Sequence, residues 1–230
     1  MQNFKTFLKE NQHYPWQVQT IEQLLELPNW QKLNVGNEYV AFVLPSTGEI
    51  AIEGDFKNGI LHIEQNSNFI LYDDIFIQYQ GGYYLPCKMS GDLQTLSLQG
   101  SSLTSLIGME DLSIIRFALG NNNNLKNLEG FPSIVNTLTL DKTFPITSHL
   151  DKYVKKLEEI VILERETDYK GWLSCLKIKS LEIVSVGFFN NTPKMKMLAG
   201  IITKYLKGSR DLLSCQEELI ENGLKEYAKL

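Results

Sequence analysis

Leu93-Gln94-Thr95-Leu96-Ser97-Leu98 sets three leucines at spacings of three and two, and that spacing returns four more times along the chain. With any aliphatic residue or Phe allowed at the leucine positions, it stands at Leu112, Ile115 and Phe117, at Val135, Leu138 and Leu140, at Leu157, Ile160 and Ile162, and at Ile178, Leu181 and Ile183. Successive copies start 19, 23, 22 and 21 residues apart. The last two apolar residues of each copy alternate with one intervening residue, as in a short strand with one buried face. One such unit cannot bury its apolar side alone, whereas stacked units bury a continuous core.

The period is that of leucine-rich repeats, roughly 20–29 residues. The second half of the unit agrees with this in the first two copies. Leu103-Thr104-Ser105-Leu106-Ile107-Gly108-Met109 is followed 22 residues later by Leu125-Lys126-Asn127-Leu128-Glu129-Gly130-Phe131, with Leu, Leu, Gly and a large apolar residue in step. Extra residues within Gly120 to Asn124 read as a bulged loop. The expected architecture is an α+β solenoid, with about five leucine-rich repeats and short parallel strands over residues 91–191. A helix and β-rich region over 1–90 and a helical cap over 192–230 flank it.

Leu103 to Met109 and Asn123-Asn124-Leu125-Lys126-Asn127-Leu128-Glu129-Gly130-Phe131-Pro132-Ser133-Ile134-Val135 resemble the irregular leucine-rich repeats of bacteriophage and giant-virus proteins. Ile52-Glu53-Gly54-Asp55-Phe56 and Met89-Ser90-Gly91-Asp92-Leu93 are similar to a step of the same family. The resemblance covers about 100 of the 230 residues. It implies a solenoid used for binding and a viral origin, and it carries over no catalytic residue.

In the first flank a helix is expected over Val18–Leu33, with Pro28 as a possible interruption. Short β runs follow at Tyr39–Leu44, Glu49–Ile52, Ile60–Ile63, Phe69–Tyr72, Ile75–Tyr79 and Tyr83–Leu85, with turns at Pro45–Gly48 and Lys57–Gly59. In the last flank Thr192 and Pro193 open a helix whose stripe is Met195, Leu198, Ala199, Ile202 and Leu206. Gly208 ends it, and a second helix, restarted at Ser209, carries Leu213, Ile220, Leu224 and Tyr227.

Composition narrows the functional classes. The net charge of −5 disfavours a phosphate backbone as the main ligand, because such affinity rests on Lys and Arg. The one basic face, Lys194, Lys196, Lys204, Lys207 and Arg210, is mild. Cys87, Cys175 and Cys215 are odd in number and far apart, which fits a reducing compartment. No apolar run spans a bilayer and no signal core follows the N-terminus, so a cytoplasmic protein without membrane contact is expected, in the host cytoplasm if viral.

Chemistry is sparse. His13, His62 and His149 are the only histidines, and none has metal-ligand companions at useful spacing. Ser148-His149-Leu150-Asp151 holds triad residue types, but triads assemble from distant segments. No phosphate-binding loop, dinucleotide motif or nucleophile elbow occurs. No catalytic residue, metal or cofactor is therefore expected, and the chain is read as non-enzymatic.

The exposed strand positions carry the expected interface: Arg116, Thr139, Asp141, Glu159, Val161, Leu163, Glu182 and Val184. Aliphatic groups beside acids on an exposed sheet suit a protein partner, host or viral, such as a host defence factor that the chain inhibits. Two alternatives stand beside this reading: a virion structural or accessory protein, and a small-ligand binder or enzyme built on the N-terminal β region.

Overall fold

The computed structural model describes residues 18–33, 38–64, 67–71, 73–98, 101–120, 124–125, 128–140, 150–162, 172–187 and 192–229. The described chain opens with a short helix, α1 (Ile21–Leu25). Thr20 and Gln23 cap it reciprocally: each side-chain oxygen accepts a hydrogen bond from the other's backbone N–H. The helix expected over Val18–Leu33 is thus cut short. Pro28 offers no N–H, Asn29 turns left-handed at φ 67°, and Trp30 leaves as a strand.

Strands β1 (Trp30–Lys32), β2 (Tyr39–Val43), β3 (Ile50–Lys57) and β4 (Ile60–Ile63) form an antiparallel meander. Asn58 and Gly59 both have positive φ, which suits the tight β3–β4 hairpin. Strand β5 (Ser67–Ile70), a 3-10 turn at Asp73–Ile75 and a separate hairpin of β6 (Ile77–Tyr79) and β7 (Gly82–Tyr84) follow. Strands β8 (Lys88–Ser97), β9 (Asp111–Leu119), β10 (Ile134–Leu140), β11 (Glu159–Ile162) and β12 (Ile183–Val186) then pair in parallel, each with the next. Between β10 and β11 lies α2 (Leu150–Tyr153), and between β11 and β12 a 3-10 helix, Trp172–Lys177. Two helices close the chain, α3 (Pro193–Lys207) and α4 (Leu212–Glu221).

The expected leucine-rich repeat solenoid is corrected by this topology. The fold is a compact α/β arrangement around one mixed ten-stranded sheet, ordered β1-β2-β3-β4-β8-β9-β10-β11-β12, with β5 also paired to β8. The ten-residue β8 joins the two parts. Its first residues pair with β4 at Ile60–His62, and its later ones pair with β5. At the change-over sits Gly91, with φ 135°, where an added Cβ would lie 2.6 Å from the Ile63 carbonyl oxygen. Among the described residues, the segments that link the parallel strands also differ in kind: turns without helix after β8 and β9, α2 after β10, and a 3-10 helix after β11. One apolar core, from Val18 to Ala228, serves meander, parallel strands and helices together.

Two of the five strand readings were out of phase. The parallel register aligns Leu93 with Ile114, Ile114 with Val135, and Ile160 with Val184. The buried triplet on β9 is therefore Ile114, Phe117 and Leu119, while Ile115 is 45% exposed. At β12 the inward positions are Leu181, just before the strand, and Val184, with Val186 next, and Ile183 faces outward. In α4 Leu213 and Ile220 are exposed, because Asp211 rather than Ser209 caps the helix and turns Cys215 and Leu219 inward.

Candidate protein-interaction face

Parallel pairing in register lines up the outward residues of β8 to β12 in rows across the strands. One row runs Thr95, Arg116, Thr137, Glu159, Ile183. The row two residues on is Ser97, Ala118, Thr139, Val161, Ser185. On the other side of the first row, Glu182 lies beside Glu158, to whose carbonyl its N–H donates at 3.0 Å. Further down, Asp92, Ser113, Ile134 and Lys156 stand level.

Of the residues expected here, Arg116 and Glu182 are exposed, and Thr139, Glu159 and Val161 are half-buried on the same face. Val184 does not belong to it: it is 3% exposed and points into the core, the consequence of the register on β12. Asp141 and Leu163 lie outside the described residues. Three isoleucines were missed, namely Ile115, Ile134 and Ile183, which are 45%, 38% and 37% exposed. Their outward orientation follows from strand pairing, and their apolar character concealed it in the sequence.

Charge on the face is graded. Arg116 on β9 forms no ion pair among the described residues. Two strands away, Glu159 accepts a hydrogen bond from the Ser185 hydroxyl at 2.7 Å, which fixes its carboxylate without neutralising it. Glu158 pairs with Lys156 at 2.8 Å, and Glu182 adds an exposed acid beside it. The face thus sets three exposed isoleucines among charges of both signs.

Other chemistry-bearing groups are placed differently. On the meander side, Tyr39, Asp55, His62, Ser90 and Asp111 form a level row, with His62 Nδ1 and Ser90 Oγ 2.7 Å apart. Asp55 is engaged by Lys57 at 3.5 Å, and burial together with Glu53 and Glu64 pushes the Tyr39 hydroxyl up to about 12. A cavity of about 380 Å³ lies elsewhere, lined by residues such as Asn29, Trp30, Gln31 and Leu44, and reaches neither His62 nor Cys87. Burial raises the Cys87 and Cys175 thiols to about 12, so neither is a ready thiolate nucleophile. Among the described residues no group of three or more His, Cys, Asp or Glu side chains is placed to hold a metal ion. On the basic face, Lys194 pairs with Glu226, Lys204 with Glu218, and Arg210 with main-chain carbonyls. No helix of the described residues is long and apolar enough to cross a membrane.

Comparison with known proteins gives no matching family model, no matching curated protein and no matching solved structure.

Proposed function

We propose that the chain is a non-enzymatic binding module that recognises another protein through the outward face of β8 to β12. The observation that carries this reading is the exposure of Ile115, Ile134 and Ile183 on one sheet face beside Arg116, Glu158, Glu159 and Glu182. Isolated exposed aliphatic residues need no explanation, but three on one face among unlike charges favour a partner. The resemblance of Leu103–Met109 and Asn123–Val135 to phage and giant-virus proteins makes a host or viral protein the partner of choice, met in the cytoplasm, where three free buried cysteines stay reduced.

Affinity capture from bacterial lysate, infected and uninfected, tests the proposal, with Val161→Arg as the paired variant. Val161 is half-buried on β11 within the face, so an arginine there extends outward without entering the core. Circular dichroism should show the variant folded, and a protein retained by the wild type should be lost. Equal retention by both chains removes this face from the binding surface.

A further inference from the structure

Across the uncharged outward face of β10, Arg116 on β9 stands level with Glu159 on β11, and we propose that two copies of the chain associate face to face across that strand. The inference rests on the reading of this face as an interface and names a second copy as one occupant.

Strand β10 itself presents only uncharged groups: Ile134, Asn136, Thr137 and Thr139. Thr137 is level with Arg116 on one side and with Glu159 on the other. Consider a two-fold axis that runs along β10 in the plane between two facing sheets. It keeps every residue at its own level and exchanges β9 with β11. Arg116 of each copy then faces Glu159 of the other, twice over. At the next level Thr139 is flanked by Ala118 and Val161, so the same rotation lays the larger aliphatic side chain over the smaller one, again twice. Ile134, 38% exposed, meets its own counterpart on the axis. Ile115 comes opposite Glu158, whose charge is already met by Lys156.

An interface between identical copies must be complementary to itself under the rotation that relates them. Contact with an unrelated protein makes no such demand, so the opposed charges at equal distance from a neutral strand point to a second copy. The distances suit it as well. Strands lie about 4.8 Å apart and facing sheets about 10 Å apart, within reach of an Arg and a Glu side chain extended towards each other. The patch is small, roughly 300–450 Å² per copy from strand spacing and rise, against about 800 Å² per partner in a standard stable interface. Association is accordingly weak and concentration-dependent, and a tighter-binding protein partner can displace the second copy.

Sedimentation velocity on the purified full chain, from low to high micromolar concentration, tests this with Arg116→Glu and Glu159→Arg. The wild type should show a monomer–dimer equilibrium that weakens with salt. Each single variant sets like charges opposite each other and should weaken association at least about tenfold. An equimolar mixture of the two variants restores both opposite-sign pairs and should dimerise, as should the chain carrying both substitutions. A wild type that stays monomeric throughout, a dimer unchanged by Arg116→Glu, or a mixture that stays monomeric each overturns the proposal. None of these outcomes affects capture of another protein and its loss in Val161→Arg, so the two readings fail separately.

Discussion

Arg210 shows how one side chain can settle a junction. It sits between α3 and α4 with φ 55°, a left-handed conformation that costs a non-glycine residue about 1 kcal/mol. Its guanidinium donates to the carbonyls of Leu176, Ile178 and Leu181 at 3.2, 2.7 and 2.6 Å, which ties the end of the 3-10 helix and the approach to β12 to the helical pair. Hydrogen bonds from a charged donor are worth about 1.5–3 kcal/mol each, and they are not additive. Arg210→Gly should therefore destabilise by about 3 kcal/mol in urea unfolding even though it relaxes the backbone. Arg210→Lys should recover only part, because an ammonium lacks the planar fork. A glycine variant as stable as the wild type would show that these bonds contribute nothing net. Gly130 makes a comparable point with no side chain at all. Its φ is 86°, and an added Cβ would stand 2.2 Å from the Ile107 nitrogen. Gly130→Ala should cost about 2–4 kcal/mol, read as a lowered denaturant midpoint. The Leu-x-x-Leu-x-Gly match between Gly108 and Gly130 was visible in the sequence. The close approach that demands glycine was not, since it depends on a neighbouring turn.

At the scale of elements, the last strand is finished by a helix. Thr203 on α3 lies against β12, where its hydroxyl accepts from the Val184 N–H at 2.9 Å and donates to the Val184 carbonyl at 3.0 Å. One side chain thus takes the place of a further strand at an edge that would otherwise offer unpaired main-chain groups. Thr104 does the same for Tyr83 on the β6–β7 hairpin. Thr203→Val keeps the shape and strands a donor and an acceptor, each at about 1–3 kcal/mol. The expected result is a lower urea midpoint with light scattering that rises near it, and recovery of both in Thr203→Ser. The stripe on α3 was read from its helical spacing and is buried as expected. The individual strands were also legible where one triplet alone fits, as at Leu93, Leu96 and Leu98. Where apolar residues crowd both faces, as in Leu112-Ile114-Ile115-Phe117-Leu119 or Ile178-Leu181-Ile183-Val184-Val186, several triplets fit and spacing cannot choose among them. Register chooses, and a slip moves a whole side-chain set to the other face. That is why Val184 was misplaced and Ile115 and Ile183 were overlooked. The continuity of the sheet through β4 and β8 was illegible for a related reason: periodicity reports a strand's own faces and not its neighbour.

For the molecule as a whole, one continuous core makes stability a shared property, and its pH dependence follows from groups spread over the fold. On the acid side, the Lys204 hydrogen bond lowers Glu218 and the Lys194 hydrogen bond lowers Glu226, both in the C-terminal helical region. Carboxyls lowered by folding contribute stability above their ordinary range and lose it as pH falls through the folded value, so these contacts weaken in acid. On the alkaline side the thiols titrate first, ahead of Tyr39 and Tyr205, which are raised from 10.0 to about 12. Burial raises Cys87 and Cys175 from 9.0 to about 12, with Asp151 adding to the second, and raises Cys215 to about 11. An acid whose folded value is raised binds its proton more tightly in the native state. Its contribution is complete below the unfolded value near 9 and is lost as pH climbs towards the folded one. The urea midpoint should therefore hold steady through neutrality and fall from about pH 9 upward. Replacing the three cysteines by alanine should make that alkaline slope shallower, most clearly between about pH 9 and 10, even though the cavities lower the midpoint at every pH. The same burial sets thiol chemistry. Because the thiolate reacts and all three sulfurs are enclosed, a thiol reagent at pH 8 should modify the native chain at least about a hundredfold more slowly than the chain in urea. Because one core encloses all three, they should become reactive together in a single step as denaturant rises. Modification of Cys215 well before Cys87 would instead show that the helical pair opens independently of the sheet, and that the shared core is less cooperative than its continuity implies.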